Sequence, residues 1–262
     1  MDKQNIFKSC SFHANAGDVV HVLVKDLTGA GFVVSLNDGE GNAEDIETIE
    51  NPVTTTLAPL LDLMDKDGNI YTTVTIGAKE WIIESLKTTT YADDTVIPNL
   101  TANGDWIADV TGAYCWYNND IGYKTPYGAL YNWYAVNNAH GLAYLERGGI
   151  EETGWRVPSN VDWSSIGTTL GGAGVAGGAM KEIGTSHWTT PNTGATNSSG
   201  FTGVGSGHRD PTLGTYLVMG DISDLWSANS GSGYFLAYSN DDLTFQHWGL
   251  KAGLAVRLVR DL

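Results

Sequence analysis

The chain predicts an α+β fold of short strands, two short helices and long loops, preceded by a small β module. Its 33 glycines and 7 prolines leave few uninterrupted periodic stretches, so short strands joined by ordered turns are expected in place of long helices. Only residues 158–184 carry helix start and stop signals, and stretches of strand character lie on both sides of them. Aromatic residues make up 10% of the sequence and charged residues 17%, a composition that buries a core and does not stay disordered.

Residues 1–60 hold short apolar runs, Val19 to Val24 and Gly31 to Leu36, separated by Gly, Asp and Asn, the pattern of a small β module. Asp45 to Pro59 is acidic, then Thr-rich with two prolines; it reads as an extended linker and puts a domain boundary near residue 60, with 61–262 as the second domain. There, Asp65-Lys66-Asp67-Gly68-Asn69 is a turn, and Tyr71, Val74, Ile76 and Trp81 follow in a hairpin pattern. The same run opens like a calcium loop, but its twelfth position is Ile76, where a bidentate acid is needed. The plain turn is therefore preferred.

Ser159 with Asp162 three residues on, then Trp163, Ile166 and Leu170 on one face and Gly171 behind them, predict a capped helix. Ala176, Met180 and Ile183 share a face and predict a second, closed by Gly184. Gly172 to Gly177 formally matches the dinucleotide fingerprint G-x-G-x-x-G, yet it follows a helix and not a strand, so no nucleotide site is expected. Leu254, Val256 and Leu258 alternate with Ala255, Arg257 and Val259, predicting a buried last strand over Leu254 to Arg260.

The formal charge of −16 repels nucleic-acid backbones and anionic membranes, so neither is expected as a partner. No 18-residue apolar stretch predicts a membrane span, and the first residues lack the basic head and apolar run of a signal peptide. Cys10 and Cys115 fall in different modules, so neither a disulfide framework nor a cysteine metal site is expected.

Several blocks then occur in a familiar order: Gly68-Asn69-Ile70-Tyr71, Ile76-Gly77, Glu80-Trp81, Glu84-Ser85-Leu86-Lys87, Tyr127 to Val136, Gly154 to Ser159, Pro191 to Phe201, and Val256 to Asp261. Over roughly 65–262 the chain resembles the Fibrobacter succinogenes major paralogous domain. The resemblance implies a C-type-lectin-like fold, the scaffold also used by formylglycine-generating enzymes and by variable proteins of diversity-generating retroelements; fold alone assigns no function. Glu151-Glu152 stand where the family usually has Cys-Pro, and Leu258 stands where it has Cys. The family's disulfide is thereby lost, which fits folding in a thiol-reducing compartment, and so is any cysteine pair for copper-dependent oxidation.

His13, His21, His140, His187, His208 and His247 show no i, i+4 pair and no His-x-His, so no metal site is expected. No Gly-x-Ser-x-Gly elbow occurs, and carboxylates in so acidic a chain are more often a solvated surface than an acid–base pair. No catalytic residue and no cofactor are assigned; a binding protein is expected, not an enzyme.

The candidate contact segment begins at Trp226 and runs through a Ser/Gly/Asn stretch into Tyr234 to Ser239, a turn at Asn240-Asp241-Asp242, and Leu243 to Trp248. If Ser239 faces Leu243, pairing places Tyr234, Leu236, Tyr238, Thr244, Gln246 and Trp248 on one face and Phe235, Ala237, Phe245 and His247 on the other. The second set, with Leu243, is the more apolar and is assigned to the core; the first has the Tyr- and Trp-rich composition of an antibody paratope. The predicted ligand contacts are Asn229, Ser230, Ser232, Tyr234, Leu236, Tyr238, Asn240, Asp241, Asp242, Thr244, Gln246, His247, Trp248 and Leu250, with His208 and Arg209 at the rim.

In retroelement variable proteins of this fold, diversified positions lie just upstream of the closing strand. The resemblance thus implies a diversified receptor-contact surface, as on the tip of a phage tail, recognising a cell-surface protein or glycan. Residues 1–60 would serve attachment or oligomerisation, a homotrimer would add avidity, and the location would be the virion or the bacterial cell surface. The second reading is a bacterial cell-surface binding module of the same fold. The third, an oxidoreductase akin to formylglycine-generating enzymes, is disfavoured by the missing cysteine pair.

Overall fold

A computed structural model describes residues 62–262 together with one antiparallel pairing before them, Leu36–Asn37 with Ala43–Glu44. The runs predicted over 19–24 and 31–35, the linker over 45–59 and Cys10 lie outside the described residues. The chain divides into two units, Met1–Leu60 and Leu61–Leu262.

The second unit is mixed α+β, with several small sheets and few short helices, as the glycine-rich sequence predicts. Helices of six residues or more and strands of three or more run in the order β1 (Thr73–Ile76), β2 (Lys79–Ile82), α1 (Asn103–Ala108), α2 (Asn160–Thr169), α3 (Ala173–Met180), β3 (Ile222–Trp226), β4 (Ser232–Ala237), β5 (Thr244–His247) and β6 (Val259–Asp261). Antiparallel ladders join them as β6-β2-β1 and β3-β4-β5. The hairpin β1–β2 is the one predicted, and Gly77 between its strands takes φ +65. The Asp65 turn also forms: Asp65 Oδ1 accepts from the backbone N–H groups of Asp67 and Asn69, each at 3.0 Å, and Oδ2 accepts from the Tyr71 hydroxyl at 2.6 Å.

Period-two alternation explains where the core sits. Leu254, Val256 and Leu258 point into one apolar cluster, with Ile82, Tyr131 and Trp226. Their neighbours Ala255 and Val259 point into a second, with Trp81, Leu130 and Leu225. Successive residues of a strand face opposite sides, so these central strands form a layer buried on both faces. The closing segment is therefore buried from Leu254 to Val259 as expected, but only Val259–Asp261 keeps a ladder; Leu254 and Ala255 make single bridges to Tyr131 and Leu225.

The predicted capping box opens α2: Ser159 accepts from the Asp162 N–H while Asp162 accepts from the Ser159 N–H at 2.7 Å. Asp162 also pairs with Arg156 and, at 2.9 Å, with Lys79. Behind α2, Gly171 takes φ +100. The second helix is shorter than predicted. It ends at Met180, Lys181 is extended (φ −75, ψ 143), Ile183 is exposed, and Gly184 lies past the end. The cause is Lys181, whose buried ammonium donates to the carbonyls of Thr193, Ala237 and Asn240 at 2.7, 2.8 and 2.6 Å; a further helical turn would carry it elsewhere. Helix α1 has no capping side chain, so no start signal marks it in the residue pattern.

Burial alone would raise the Asp162 carboxyl, but hydrogen bonds from Arg156, Ser159 and Lys79 outweigh it and hold the group well below the usual carboxylate range. Its contribution to stability is present above the unfolded carboxyl's pKa of about 4 and is lost as pH falls below that value. Asp162→Asn is expected to lower stability by roughly 1.5–3 kcal/mol at pH 7. Chemical denaturation at pH 7 and pH 3 checks this, with the gap between wild type and variant narrowing at the lower pH.

Candidate binding face of the C-terminal sheet

The register of β4 on β5 decides which face is open. Tyr234 lies opposite Phe245, Phe235 opposite Thr244, and Ser232 opposite His247. A pairing of Ser239 with Leu243 would instead set Phe235 against His247, three residues away from its observed partner Thr244. An odd shift changes which β5 residues share a face with each β4 residue, so Phe235, and not Tyr234, joins Thr244, Gln246 and Trp248. The expected three-residue turn is absent because its backbone is committed elsewhere. The Thr193 N–H donates to Tyr238 O at 2.7 Å, the Gly178 N–H to Asp241 O at 3.0 Å, and the Leu243 N–H to Ala173 O at 2.7 Å. Gly177 and Gly178 permit this approach: a Cβ on Gly177 would stand 2.1 Å from Asp242 O, and one on Gly178 would stand 2.4 Å from Gly194 O and 3.0 Å from Asp241 Cβ. The glycine run that mimics a nucleotide fingerprint is a packing surface for the β4–β5 connection.

Several predicted contacts are therefore structural. Tyr234 is buried and stacks on Trp163 at 5.5 Å between centroids; Leu236 is fully buried, Ser232 is buried, and Tyr238 packs on the second apolar cluster. Asn240, Asp241 and Asp242 form the connection held by Lys181 and α3. Arg209, placed at the rim by the sequence, is fully buried between Trp106 and Tyr216 and donates to the carbonyls of Gly214, Leu100 and Thr101. Leu250 is half-buried, its carbonyl accepting from the Trp133 N–H. Asn229 and Ser230 are exposed in the β3–β4 turn, where Asn229 Oδ1 accepts from the Asn160 N–H at 2.8 Å. His247 is exposed, on the same side as Phe245, 4.8 Å away. Among the residues assigned to the core, Ala237 and Leu243 are buried, but Phe245 is 42% exposed and Phe235 lies on the opposite face from Tyr234.

That opposite face carries a shallow pocket of about 120 Å³ lined by Phe235, Gln246, Trp248, His208, Asp224, Val218 and Ile222. Strand register assembles it: Asp224 lies across from Phe235 and Phe235 from Thr244, so Thr244 shares the face. Trp248 can lie over β4 because Gly233 has no side chain; a Cβ there would stand 2.9 Å from the indole. His208 packs against the Trp248 ring at 4.7 Å and its Nδ1 sits 2.8 Å from Asp224 Oδ2. Burial pushes the Asp224 carboxyl above its ordinary range, an effect that His208 opposes. Anchored Arg209 holds the strand segment carrying His208.

The structure thus brings together His208, Gln246, Trp248 and Thr244 of the predicted set, and adds Phe235, Asp224, Ile222 and Val218. The alternation of Ile222, Asp224 and Trp226 was the sequence signal for this face, one strand upstream of the segment singled out. The pocket lining contains a His–Asp pair, and Thr244 supplies a hydroxyl on the same face. Among the described residues no three His, Cys, Asp or Glu side chains gather so as to hold a metal ion, and no helix is long and apolar enough to cross a membrane.

The family model of the Fibrobacter succinogenes major domain matches residues 74–260, and the chain belongs to that family. No curated protein and no solved structure gives a match.

Tyr234 and Gln246, both predicted contacts, lie on opposite faces of the sheet and should behave differently. Tyr234→Ala is expected to cost about 3 kcal/mol or more, as for other buried aromatics. Gln246→Ala should stay within about 0.5 kcal/mol of wild type. Thermal or denaturant unfolding of the two variants checks the assignment.

Proposed function

We propose that this member of the Fibrobacter succinogenes major domain family is a ligand- or receptor-binding protein of C-type-lectin-like fold, and not an enzyme. Its contact surface is the open face of β3-β4-β5 centred on Trp248. The observation that carries this reading is the gathering of Trp248, Phe235, Gln246 and His208 around one pocket, on a sheet whose other face is packed against α2 through Trp163. Large aromatics with few rotors, ringed by hydrogen-bonding side chains and held on a rigid support, are the usual makeup of an interface hot spot.

The wider reading is an adhesin such as a phage tail-tip protein, with the surface diversified by a retroelement as in variable proteins of this fold. Thr244 and Gln246 lie just ahead of the closing strand and are not committed to the core, whereas Trp248 is partly buried against the first apolar cluster; this supports diversification at Thr244 and Gln246 and not at Tyr234 or Leu236. Its partner would be a cell-surface protein or glycan, its location the virion or the bacterial surface, and residues 1–60 would attach or oligomerise it. A homotrimer would turn weak single sites into useful avidity. A formylglycine-generating activity is not supported: Cys115 is buried and does not line the pocket.

Binding to a panel of bacterial cells, measured for wild type, Trp248→Ala and the exposed-site variant Gln246→Arg, tests the reading. Both variants should lose at least about tenfold in affinity, roughly 1.4 kcal/mol, with Gln246→Arg keeping its unfolding midpoint. Unchanged binding by Gln246→Arg would contradict the assigned face.

A further inference from the structure

A second concavity, of about 520 Å³, shares no residue with the sheet pocket and falls within the roughly 300–1,000 Å³ typical of small-ligand sites. One wall is apolar, with Val136, Leu142, Trp155 and Val157; the rest presents Asn137, Asn138, Ser159 and Arg156, and Ala228 of the β3–β4 turn closes one side. The block Gly154 to Ser159, prominent in the sequence, supplies much of this lining. Its Trp155 is held in place: the Arg260 guanidinium lies 4.8 Å from the ring, and Arg260 is itself bonded to Glu80 and Glu152 at 2.6 Å each.

The charge of the site restricts what fits. Arg156 is the single charged side chain of the lining, and its guanidinium is answered by Asp162 at 3.0 Å and Asp261 at 3.2 Å. The N-terminus of α2 is likewise occupied by the Asp162 carboxylate. An anionic ligand would meet no uncompensated positive charge there, and a cationic one would meet no lining carboxylate. The lining comes from a single helical turn and loops, so it offers no open ladder for an extended peptide to join.

From this neutral, half-apolar, amide-bearing cavity we infer a second binding site for an uncharged oligosaccharide, whose C–H faces would lie on the apolar wall while its hydroxyls meet the Asn137 amide; the Asn138 amide is already engaged, donating to Thr111 O at 2.9 Å and accepting from the His140 N–H at 3.1 Å. The site is independent of the sheet face. The β3–β4 turn reaches it directly, since the Ala228 N–H donates to Pro158 O at 2.8 Å.

An array of uncharged di- to tetrasaccharides probed with the full chain, followed by calorimetry on the strongest binder, tests the inference. Ala228 is exposed, so Ala228→Trp fills the cavity without removing a core side chain. Ala228→Trp and Asn137→Ala should each weaken the binder at least about tenfold with the unfolding midpoint kept, whereas Gln246→Arg should leave it unchanged. Absence of any uncharged binder, binding that survives Ala228→Trp, or binding that Gln246→Arg abolishes would overturn it. The last outcome would assign the sugar to the sheet face, and so separates this site from that one.

Discussion

The ammonium of Lys181 is buried, yet no carboxylate meets it; its three hydrogens go to the carbonyls of Thr193, Ala237 and Asn240. Burial pulls its pKa down to about 8, but three carbonyl acceptors match the three donors of the protonated form. A buried charge must be fully hydrogen-bonded or neutralised, so the backbone around Lys181 has little freedom. The end of β4, its connection to β5 and the loop at 193 are tied to one atom. Arg209 repeats the device; Arg257, also buried, donates through its two Nη atoms to the carbonyls of Ile82 and Thr202 and lies over Phe201, while its Nε has no hydrogen-bond partner. In a chain with 14 basic residues against 30 acidic ones, three cations thus organise loops from within and do not serve a surface.

From the Lys181 anchor follows the choice of face. With the connection held to α3, β4 and β5 pair so that Tyr234 and Leu236 turn toward Trp163 and the second apolar cluster, and Phe235, Gln246 and Trp248 turn to the pocket. Composition placed Gln246 and Trp248 on the open face but suggested the reverse for β4, because Tyr234 looks like an interface residue and Phe235 like a core one. A side-chain period of two makes the assignment hostage to register, and register here is set by tertiary hydrogen bonds to residues about 50 to 70 positions upstream, the 173–181 helix and its end.

Local signals were legible. The Ser159–Asp162 capping box, the Asp65 turn, the β1–β2 hairpin and the buried closing segment each depend on residues close in sequence, and each forms. Features set by distant partners were not: the early end of α3 at Lys181, the uncapped α1, the burial of Arg209. The Gly177–Gly178 pair was visible, but only the approach of Asp241–Asp242 reveals its purpose. Arg260, two residues after Leu258, bonds Glu152 at 2.6 Å, so an ion pair links these two segments.

The β4–β5 register leaves Phe235, Gln246 and Trp248 on the open face. Paired cysteines in a Cys10→Ser background test it most directly. Phe235→Cys with Thr244→Cys, directly opposite in the β4–β5 ladder, should form a disulfide on mild oxidation, whereas Phe235→Cys with His247→Cys should not. Cross-linking of the second pair and not the first would show that Phe235 shares a face with His247 instead, and would contradict the account.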